Sequence, residues 1–345
     1  MSALSRLPTT VTRRWATRLD DYVTSVSPAP DGRHLLATSL SGEATLLDTA
    51  SGEATARLPL HPLGALSGAW SCDGRVVATA GQDNCIRLAL AEGGRAVAEV
   101  GLDGWGAAVR WSPVDPLVAV AAGRSLTVLD AEGAIVHRWS DLESTATALE
   151  WSADGVSVGV ACYGGVRWYR PGDPDRPTTH FAWKGSLLSL ERSPDGKWVA
   201  AGGQDATVHV WRLWSGDDLA MTGYPAKIEH LAWDPSSRYL AVGGVGDVTI
   251  WDFAGRGPRG TRPATLTGPT RHIAALAYRP DGRALAALDG AGGQYLWATP
   301  KRARPVADHD LGESGACMAW SGDGSALYVG GAEGLVVGQD LAIDV

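Results

Sequence analysis

Apolar and polar positions alternate along this chain in short segments that are separated by glycine-rich turns. The stretch from Leu187 to Trp211, LLSLERSPDGKWVAAGGQDATVHVW, shows the pattern clearly. Its leucines predict a first short strand, residues 198–201 a second, and the alternation over 207–211 a third. The Ser-Pro-Asp-Gly sequence at 193–196 predicts a turn, because proline fixes φ and glycine supplies a positive φ. The segment therefore predicts an antiparallel unit whose fourth strand lies in the variable stretch that follows.

This unit recurs eight times along the chain. When the copies are aligned on the residue three positions before an Asp-Gly turn or its equivalent, their separations are 42, 41, 40, 41, 41, 45 and 42 residues. A period near forty with several strands in each unit is typical of a β-propeller. We therefore expect an all-β, eight-bladed propeller, with seven blades and one abnormal unit as the alternative. The aligned anchor residues are Pro28, Trp70, Trp111, Trp151, Arg192, Trp233, Tyr278 and Trp320.

The two ends of the chain predict how such a ring closes. Residues 321–345 follow the last anchor and suffice for two strands, 326–330 and 335–339, without the outermost one. The segment from Thr12 to Leu19 has the pattern of a strand, and we expect it to complete the last blade, which removes both free sheet edges. A repeat array shares one pooled core. We therefore expect a flexible N-terminus over 1–10 and a single propeller domain over 11–345.

The unit resembles the WD-repeat propeller family. The resemblance rests on the spacing from the Ser-Pro-Asp-Gly turn through Gly-x-x-Asp to an apolar strand that ends in tryptophan, and it covers residues 11 to 342 approximately. The Trp-Asp dipeptide itself is intact at Trp251-Asp252. It is degraded elsewhere, to Leu47-Asp48, Leu129-Asp130, Trp168-Tyr169, Trp211-Arg212 and Trp297-Ala298.

The resemblance also concerns a buried hydrogen-bond network. In that family, a Gly-His pair before the first strand completes a network with the turn aspartate and the tryptophan. No repeat of this chain contains that pair, although Asp83, Asp205 and Asp247 occupy the turn position. We therefore do not expect the network here, and we expect apolar burial to provide most of the stability.

The resemblance implies a docking face. In a WD-repeat ring, the turns that enter the first strand and those between the second and third strands share one face, which is the family's usual docking surface. Aromatic and arginine side chains are typical of interface hot spots. For Trp105 and Trp183, the alternative is packing on neighbouring blades. The predicted partner-binding face consists of Tyr22, His61, Trp105, Trp183, Lys184, Gln204, Asp205, Tyr224, Lys227, Arg271 and His272.

A second candidate site concerns the central tunnel. The residue before the anchor is small in five repeats, but three consecutive repeats carry Arg110, Glu150 and Glu191 there. If this position faces the axis, two carboxylates and a cation share a poorly solvated channel, which raises one carboxyl pKa unless a cation compensates. His230 also approaches the channel. One interpretation is an Arg110–Glu150 ion pair with Glu191 in water; the other is a site for a hard metal or a cationic ligand.

Composition and motifs limit the function classes. The net charge of −8 argues against nucleic acid, which requires clustered Lys and Arg. The four cysteines have no Cys-x-x-Cys spacing and indicate reduced thiols, and residues 1–14 lack the apolar run of a secretory signal or a membrane span. We therefore expect a cytoplasmic location. The scarcity of lysine and the single Asn84 fit a GC-rich bacterial genome.

The sequence favours a scaffold over an enzyme. It contains no His-x-x-x-His, Gly-x-Ser-x-Gly or phosphate-loop motif. We therefore expect a monomeric, non-catalytic scaffold without a cofactor, which presents a propeller face to a bacterial protein or peptide. The alternative is a metal- or small-ligand-binding propeller, enzymatic or metal-handling, that uses the charged tunnel residues.

Overall fold

The fold consists of antiparallel β-sheets. The computed structural model describes residues 10–173, 177–255, 257–298 and 302–342, and these ranges contain strands and turns but no helix. The expected all-β class is therefore confirmed. Strand β1 begins at Thr10, and residues 1–9 lie outside the described ranges, so the flexible N-terminus stays a prediction.

Four of the sheets have four strands each. One of them joins the two ends of the chain, in the order β1 (Thr10–Arg18), β29 (Leu335–Ala342), β28 (Ala326–Gly331) and β27 (Gly315–Trp320). The next contains β2 (Val23–Pro28), β3 (His34–Ser39), β4 (Ala44–Asp48) and β5 (Ala54–Arg57). Another contains β6 (Ala65–Trp70), β7 (Val76–Gly81), β8 (Cys85–Leu90) and β9 (Ala96–Gly101). The fourth contains β10 (Gly106–Trp111), β11 (Leu117–Ala122), β12 (Ser125–Asp130) and β13 (Ile135–Trp139).

Two larger sheets contain six and seven strands. They arise because a long strand in each pairs with strands of two consecutive repeats; in β16, residues 179–186 pair with β15 and residues 187–192 with β17. The six strands are β14 (Ala148–Trp151), β15 (Val158–Tyr169), β16 (Thr179–Arg192), β17 (Trp198–Gly203), β18 (Val208–Arg212) and β19 (Asp218–Met221). The seven strands are β20 (Leu231–Trp233), β21 (Tyr239–Gly243), β22 (Val245–Asp252), β23 (Ala264–Tyr278), β24 (Leu285–Asp289), β25 (Gly293–Trp297) and β26 (Ala307–Asp310).

The Ser-Pro-Asp-Gly turn forms by side-chain hydrogen bonds to the backbone. Ser193 Oγ donates to Asp195 Oδ1 at 2.7 Å and accepts from the backbone nitrogen of Trp198 at 2.9 Å. Gly196 has a φ of 69°, a conformation that glycine adopts without strain. The sequence therefore sets this hairpin locally, as the turn pattern predicts.

The anchor side chains link consecutive repeats. Five anchor tryptophans donate their indole N–H to the carbonyl of the residue that directly precedes the anchor of the previous repeat. Arg192, which replaces tryptophan in its repeat, donates from Nε to the carbonyl of Trp151 at 3.0 Å. The indole bonds run from Trp70 to Ser27, Trp111 to Ala69, Trp151 to Arg110, Trp233 to Glu191 and Trp320 to Ala277.

The hydrophobic core lies between adjacent sheets. One cluster combines Val76 and Leu88 with Trp111 and Val118, so it joins the repeats that contain β7 and β11. Other clusters join other neighbouring repeats in the same way. Burial of this apolar surface is the main favourable contribution to folding.

The N-terminal strand is attached to both ends of the repeat array. It pairs antiparallel with β29 from Thr10↔Ala342 to Arg18↔Leu335. The indole nitrogen of Trp15 donates to the carbonyl of Thr49 in the first repeat at 2.8 Å. The cluster around Trp15 contains side chains of β2 and β3 together with those of β28 and β29.

Candidate functional site

The structure contains a buried network where the sequence predicted none. His61 is completely buried, its Nδ1 lies 2.9 Å from Asp83 Oδ1 and 2.7 Å from Arg87 Nη1, and its Nε2 lies 3.0 Å from Thr79 Oγ1. Arg87 Nη1 also donates to Asp83 Oδ2 at 2.5 Å. The expectation that this network is absent was wrong: His61 follows a leucine rather than a glycine, yet it reaches the same turn aspartate.

Electrostatics keep this network in one charge state. Burial lowers the pKa of His61 below its ordinary value, against the opposing effect of Asp83, and keeps the imidazole neutral. Burial alone would raise the pKa of Asp83, but the hydrogen bonds from His61 and Arg87 outweigh it and hold that pKa below its usual range. His61 therefore cannot contact a partner directly, which corrects its place on the predicted face. Instead, His61 holds the loop over residues 59–64 in place.

A related arrangement occurs two repeats later. Arg167 is buried, its Nη2 lies 2.5 Å from Glu143 Oε1, and its Nη1 lies 3.2 Å from Cys162 Sγ. Burial raises the pKa of the Cys162 thiol, so this cysteine is held in its unreactive thiol form. Arg167 lies in the part of β15 that pairs with β16, just as Arg87 lies on β8, which pairs with β9.

Two of the predicted face aromatics pack inward. The rings of Trp183 and His209 lie 3.4 Å apart between centroids, and His209 is buried. The hydroxyl of Tyr224 accepts from Trp251 Nε1 at 2.8 Å and lies 3.1 Å from Thr249 Oγ1. Trp183 therefore packs on a neighbouring side chain, as the alternative interpretation predicted. Tyr224 also packs inward.

The other predicted face residues lie at the surface. Trp105 exposes 59% of its surface and Tyr22 exposes 36%. The side chain of Lys227 contacts Glu229, with 2.8 Å between Nζ and Oε1. The remaining exposed members of the predicted face are Lys184, Gln204, Asp205, Arg271 and His272.

Four exposed apolar residues were not predicted for this face from the sequence. Leu40, Leu60 and Leu63, in the same set of loops, expose 38%, 56% and 64% of their surface, and Val245, the first residue of β22, exposes 46%. Large apolar side chains at the surface are informative when they gather on one side of a molecule. Their signal in the sequence is leucine in proline-containing loops rather than in strands, as in Pro-Leu-His-Pro-Leu at 59–63.

The tunnel residues form a mixed cluster of charges. Arg192 Nε lies 3.8 Å from Glu150 Oε1, whereas Arg110 Nη1 donates to the carbonyl of Val109 at 3.0 Å. The ion-pair partner of Glu150 is therefore Arg192 rather than the expected Arg110. A cavity of about 460 Å³ is lined by Arg110 together with Ser27 and Ala69, the residues at the equivalent position in the two preceding repeats.

Burial disfavours the ionised form of the two carboxyl groups in this cluster, those of Glu150 and Glu191. Dense surroundings raise the pKa of Glu150 to about 7, although Arg110 and Arg192 oppose the shift. Burial and the neighbouring Glu150 raise the pKa of Glu191 to about 8. The side chain of Glu150 still exposes 22% of its surface, as expected for a group that lines a narrow channel. Both carboxyl pKa values are thus raised rather than the expected one, and for Glu150 the cause is burial rather than the neighbouring carboxylate.

His230 belongs to a different part of the molecule. It lines a cavity of about 300 Å³ with Lys227, Glu229 and His272. Burial lowers the pKa of His230 to about 4, and the charged groups that act on it are Glu229, His272 and Lys227 rather than the two tunnel carboxylates. The structure therefore places His230 with members of the predicted face. Within the described ranges, no group of three or more His, Cys, Asp or Glu side chains is arranged to hold a metal ion.

Comparison with known proteins agrees with this geometry. The family described as WD domain, G-beta repeat matches residues 52–88 and 176–212. The chain is 27% identical over 191 residues to the target of rapamycin complex subunit LST8 of Mus musculus, which covers 53% of this chain and 57% of LST8. The two matched segments therefore have the sequence of WD repeats. The buried network around His61 lies within the first matched WD repeat.

Two other relatives match over smaller shares of their own length. Coronin-7 of Rattus norvegicus is 27% identical over 248 residues, 64% of this chain and 26% of coronin-7. Small ribosomal subunit protein RACK1 of Schizosaccharomyces pombe is 26% identical over 121 residues, 31% of this chain and 36% of RACK1. The chain thus spans little more than half of LST8 and about a quarter of coronin-7.

Proposed function

We propose that this chain is a non-catalytic interaction scaffold that presents one face of a closed, eight-bladed WD-repeat propeller to a protein or peptide partner. The observation that carries the proposal is the position of the exposed apolar residues. Five of them lie in loops that enter a first strand or connect a second to a third strand: Tyr22, Leu40, Leu60, Leu63 and Trp105. Exposed apolar groups concentrated on one side are typical of protein interaction sites.

Strand pairing and core packing support the eight-bladed ring. The strand pairs form eight antiparallel sheets when β16 and β23 are divided between consecutive repeats, which favours eight blades over seven. The cluster around Trp15 joins the last sheet to the first, as a closed ring requires. The pairing of β1 with β29 supports closure by the N-terminal strand and a single domain over 11–345.

The relatives support a role in protein assemblies. LST8 is described as a subunit of a complex, and RACK1 as a protein of the small ribosomal subunit. A further relative, 27% identical over 235 residues, is described as actin-interacting protein 1 of Caenorhabditis elegans. We extend to this chain the general property that these names share, association with other macromolecules.

The cellular setting is part of the proposal. The four cysteines are free thiols, which supports a reducing, cytoplasmic environment. The composition supports a bacterial source. Among the residues that the structure describes, there is no helix with the length and apolarity that a bilayer crossing requires.

The test is an affinity capture that compares two faces of the ring. Trp105→Ala and Leu63→Ser change exposed residues of the proposed face, and Trp214→Ala changes a residue that is 62% exposed in the turn between β18 and β19. We expect the wild-type protein and Trp214→Ala to retain a partner that the other two variants lose, with unchanged Tm in all variants. Equal capture by all four proteins would rule out this face. Trp183 and Tyr224 are unsuitable for the test because both pack inward.

The tunnel supports a second candidate, a metal- or small-ligand-binding function. No ion pair within 4.0 Å involves the Glu191 carboxyl group within the described part of the chain, although Glu150 lies nearby and contacts Arg192. A bound cation would favour ionisation of such a group. Elemental analysis of the purified protein tests this candidate. Stoichiometric metal in the wild type that is lost in Glu150→Gln would support this candidate. Wild-type protein without metal would exclude a metal-binding function.

A further inference from the structure

Five exposed apolar residues lie on consecutive loops of the first three repeats. They project from residues 19–22 and 40–43 in the first repeat, 59–64 in the second and 102–105 in the third. Their exposed fractions are between 36% and 64%. We refer to them as the apolar arc, which consists of Tyr22, Leu40, Leu60, Leu63 and Trp105.

The loops of the apolar arc contact each other through the backbone. The nitrogen of Leu40 donates to the carbonyl of Tyr22 at 3.0 Å, so the two loops of the first repeat are adjacent. The nitrogen of His61 donates to the carbonyl of Gly42 at 3.0 Å and connects the first repeat to the second. Two further bonds extend the contact toward Trp105: Gln82 to Gly64 at 2.9 Å and Leu102 to Asn84 at 2.8 Å. The loops that carry the arc are therefore adjacent in space.

The central loop of the arc is held rigidly. His61 lies between Leu60 and Leu63 and is fixed underneath by Asp83, Thr79 and Arg87. Prolines at 59 and 62 restrict φ on both sides of the histidine. A loop that is already fixed in its bound conformation loses little entropy when a partner binds. The two leucines are thus displayed by a preorganised support.

The charge of these loops is acidic. The loops 19–22, 40–43, 59–64, 82–84 and 102–105 contain five carboxylates and no lysine or arginine. Asp83 is neutralised by Arg87, and Asp103 lies 3.6 Å from Arg138 with 47% of its side chain exposed. The cation that directly precedes the first loop, Arg18, contacts Glu313 at 3.3 Å. The carboxylates are Asp20, Asp21, Glu43, Asp83 and Asp103.

We propose that the apolar arc binds a basic, amphipathic segment of a partner protein. Apolar side chains of that segment cover Leu60, Leu63 and Trp105, and its lysine or arginine side chains lie beside the carboxylates at the rim. This assignment rests on the proposed scaffold function and adds the chemistry of the partner. Complementary charge at the rim raises the association rate and selects against acidic partners, while the apolar centre provides affinity.

The experiment measures binding of two designed peptides to the full chain by fluorescence anisotropy. The first peptide contains leucine, phenylalanine and lysine in an amphipathic pattern, and the second is identical except that glutamate replaces every lysine. We expect the lysine peptide to bind at least about tenfold more tightly at low salt, and this preference to decrease as salt screens the charges. Equal affinity of the two peptides, or tighter binding of the glutamate peptide, would overturn the proposal.

Variants separate the apolar part of the interaction from the charged part. Leu63→Ser combined with Trp105→Ala should weaken binding of the lysine peptide by about tenfold or more. Asp20→Asn combined with Asp21→Asn and Asp103→Asn should reduce the preference for lysine over glutamate and leave the Tm unchanged. The matched control is Trp214→Ala, which should bind the lysine peptide as the wild type does. An equal loss in Trp214→Ala would mean nonspecific adhesion and overturn the proposal.

Other occupants give distinguishable results. A second copy of the chain on this surface would appear as a dimer by light scattering that Leu63→Ser abolishes. Binding to anionic lipid vesicles that Trp105→Ala removes would identify a membrane surface instead. Each of these results would overturn the basic-segment assignment and leave the docking face in place. If the affinity capture described above is also insensitive to Trp105 and Leu63, the scaffold face itself is wrong.

Discussion

The indole nitrogen of Trp111 donates a hydrogen bond of 3.1 Å to the backbone carbonyl of Ala69, one repeat earlier in the chain. Ala69 directly precedes the anchor of that repeat, Trp70. The same bond recurs in four other repeats, and in a fifth Arg192 donates instead to the carbonyl of the previous anchor, Trp151. The anchor that reveals the period in the sequence is therefore also the group that joins neighbouring repeats.

This relationship predicts the effect of Trp111→Phe. Phenylalanine retains an aromatic ring but has no N–H, so the Ala69 carbonyl loses its donor. We expect the free energy of unfolding in urea to fall by about 1 to 2 kcal/mol, and by about 3 to 5 kcal/mol for Trp111→Ala. Trp214→Phe, at a residue that is 62% exposed, is the control and should change stability by less than about 0.5 kcal/mol. Equal effects of the two phenylalanine variants would show that the bond does not stabilise the fold.

The buried network predicts that Asp83→Asn is strongly destabilising. The substitution removes one of the two anionic partners of the buried Arg87 guanidinium, the other being Glu99, and breaking such a buried pair costs about 3 to 5 kcal/mol. Chemical denaturation checks the loss. The matched control is Asp205→Asn at the equivalent turn, where the carboxylate is exposed and accepts from Thr207 Oγ1. A loss below about 1 kcal/mol for Asp83→Asn would contradict the buried-pair interpretation.

The tunnel carboxyls predict a pH dependence of stability. Because burial and Glu150 raise the pKa of Glu191 to about 8, the folded chain holds a proton there that the unfolded chain releases near the ordinary carboxyl pKa. This group therefore favours folding at low pH, and its contribution falls as the pH rises from about 5 to 8. Glutamine resembles the protonated acid but does not titrate, so Glu191→Gln should remove this pH dependence of stability.

The measurement compares wild type with Glu191→Gln in urea at pH 5 and at pH 8. From pH 5 to pH 8, the free energy of unfolding of Glu191→Gln should rise relative to that of the wild type by more than about 1 kcal/mol, since one pKa unit corresponds to about 1.4 kcal/mol. Taking the difference cancels the opposite contribution of the buried histidines, whose lowered pKa values favour folding at higher pH. The exposed Glu53→Gln serves as control. Parallel pH profiles for wild type and Glu191→Gln would contradict the assignment of a buried, protonated carboxyl.

The N-terminal strand predicts the effect of Trp15→Ala. Trp15 is buried, stacks on Tyr328 with 6.1 Å between ring centroids, and donates to the carbonyl of Thr49. Its removal should cost about 3 to 5 kcal/mol. It should also accelerate tryptic cleavage at Arg13, Arg14 and Arg18 on β1, which mass spectrometry would detect. Trp105→Ala, on an exposed loop, should leave the cleavage rate unchanged. Unchanged cleavage in Trp15→Ala would show that β1 is not held by this side chain.

Local signals were sufficient for much of the fold. The Ser-Pro-Asp-Gly turn predicted the hairpin between β16 and β17, because Ser193, Asp195 and Gly196 set its geometry through short-range bonds and a positive φ. The segment from Thr12 to Leu19 predicted β1 from its strand pattern alone. The candidate site was less accessible to such reasoning. His61 and Trp105 both lie in loops, and the local sequence does not indicate that the first is buried and the second exposed.

The sequence by itself determined the strands, the turns and the period, because each depends on residues close together in the chain. Tertiary structure alone decided which loop residues are buried and which charges meet. His61 is buried because Asp83, Thr79 and Arg87 converge on it, and Glu150 pairs with Arg192 because their strands lie side by side. Burial and electrostatic contact depend on distances across the fold, which local sequence patterns do not contain.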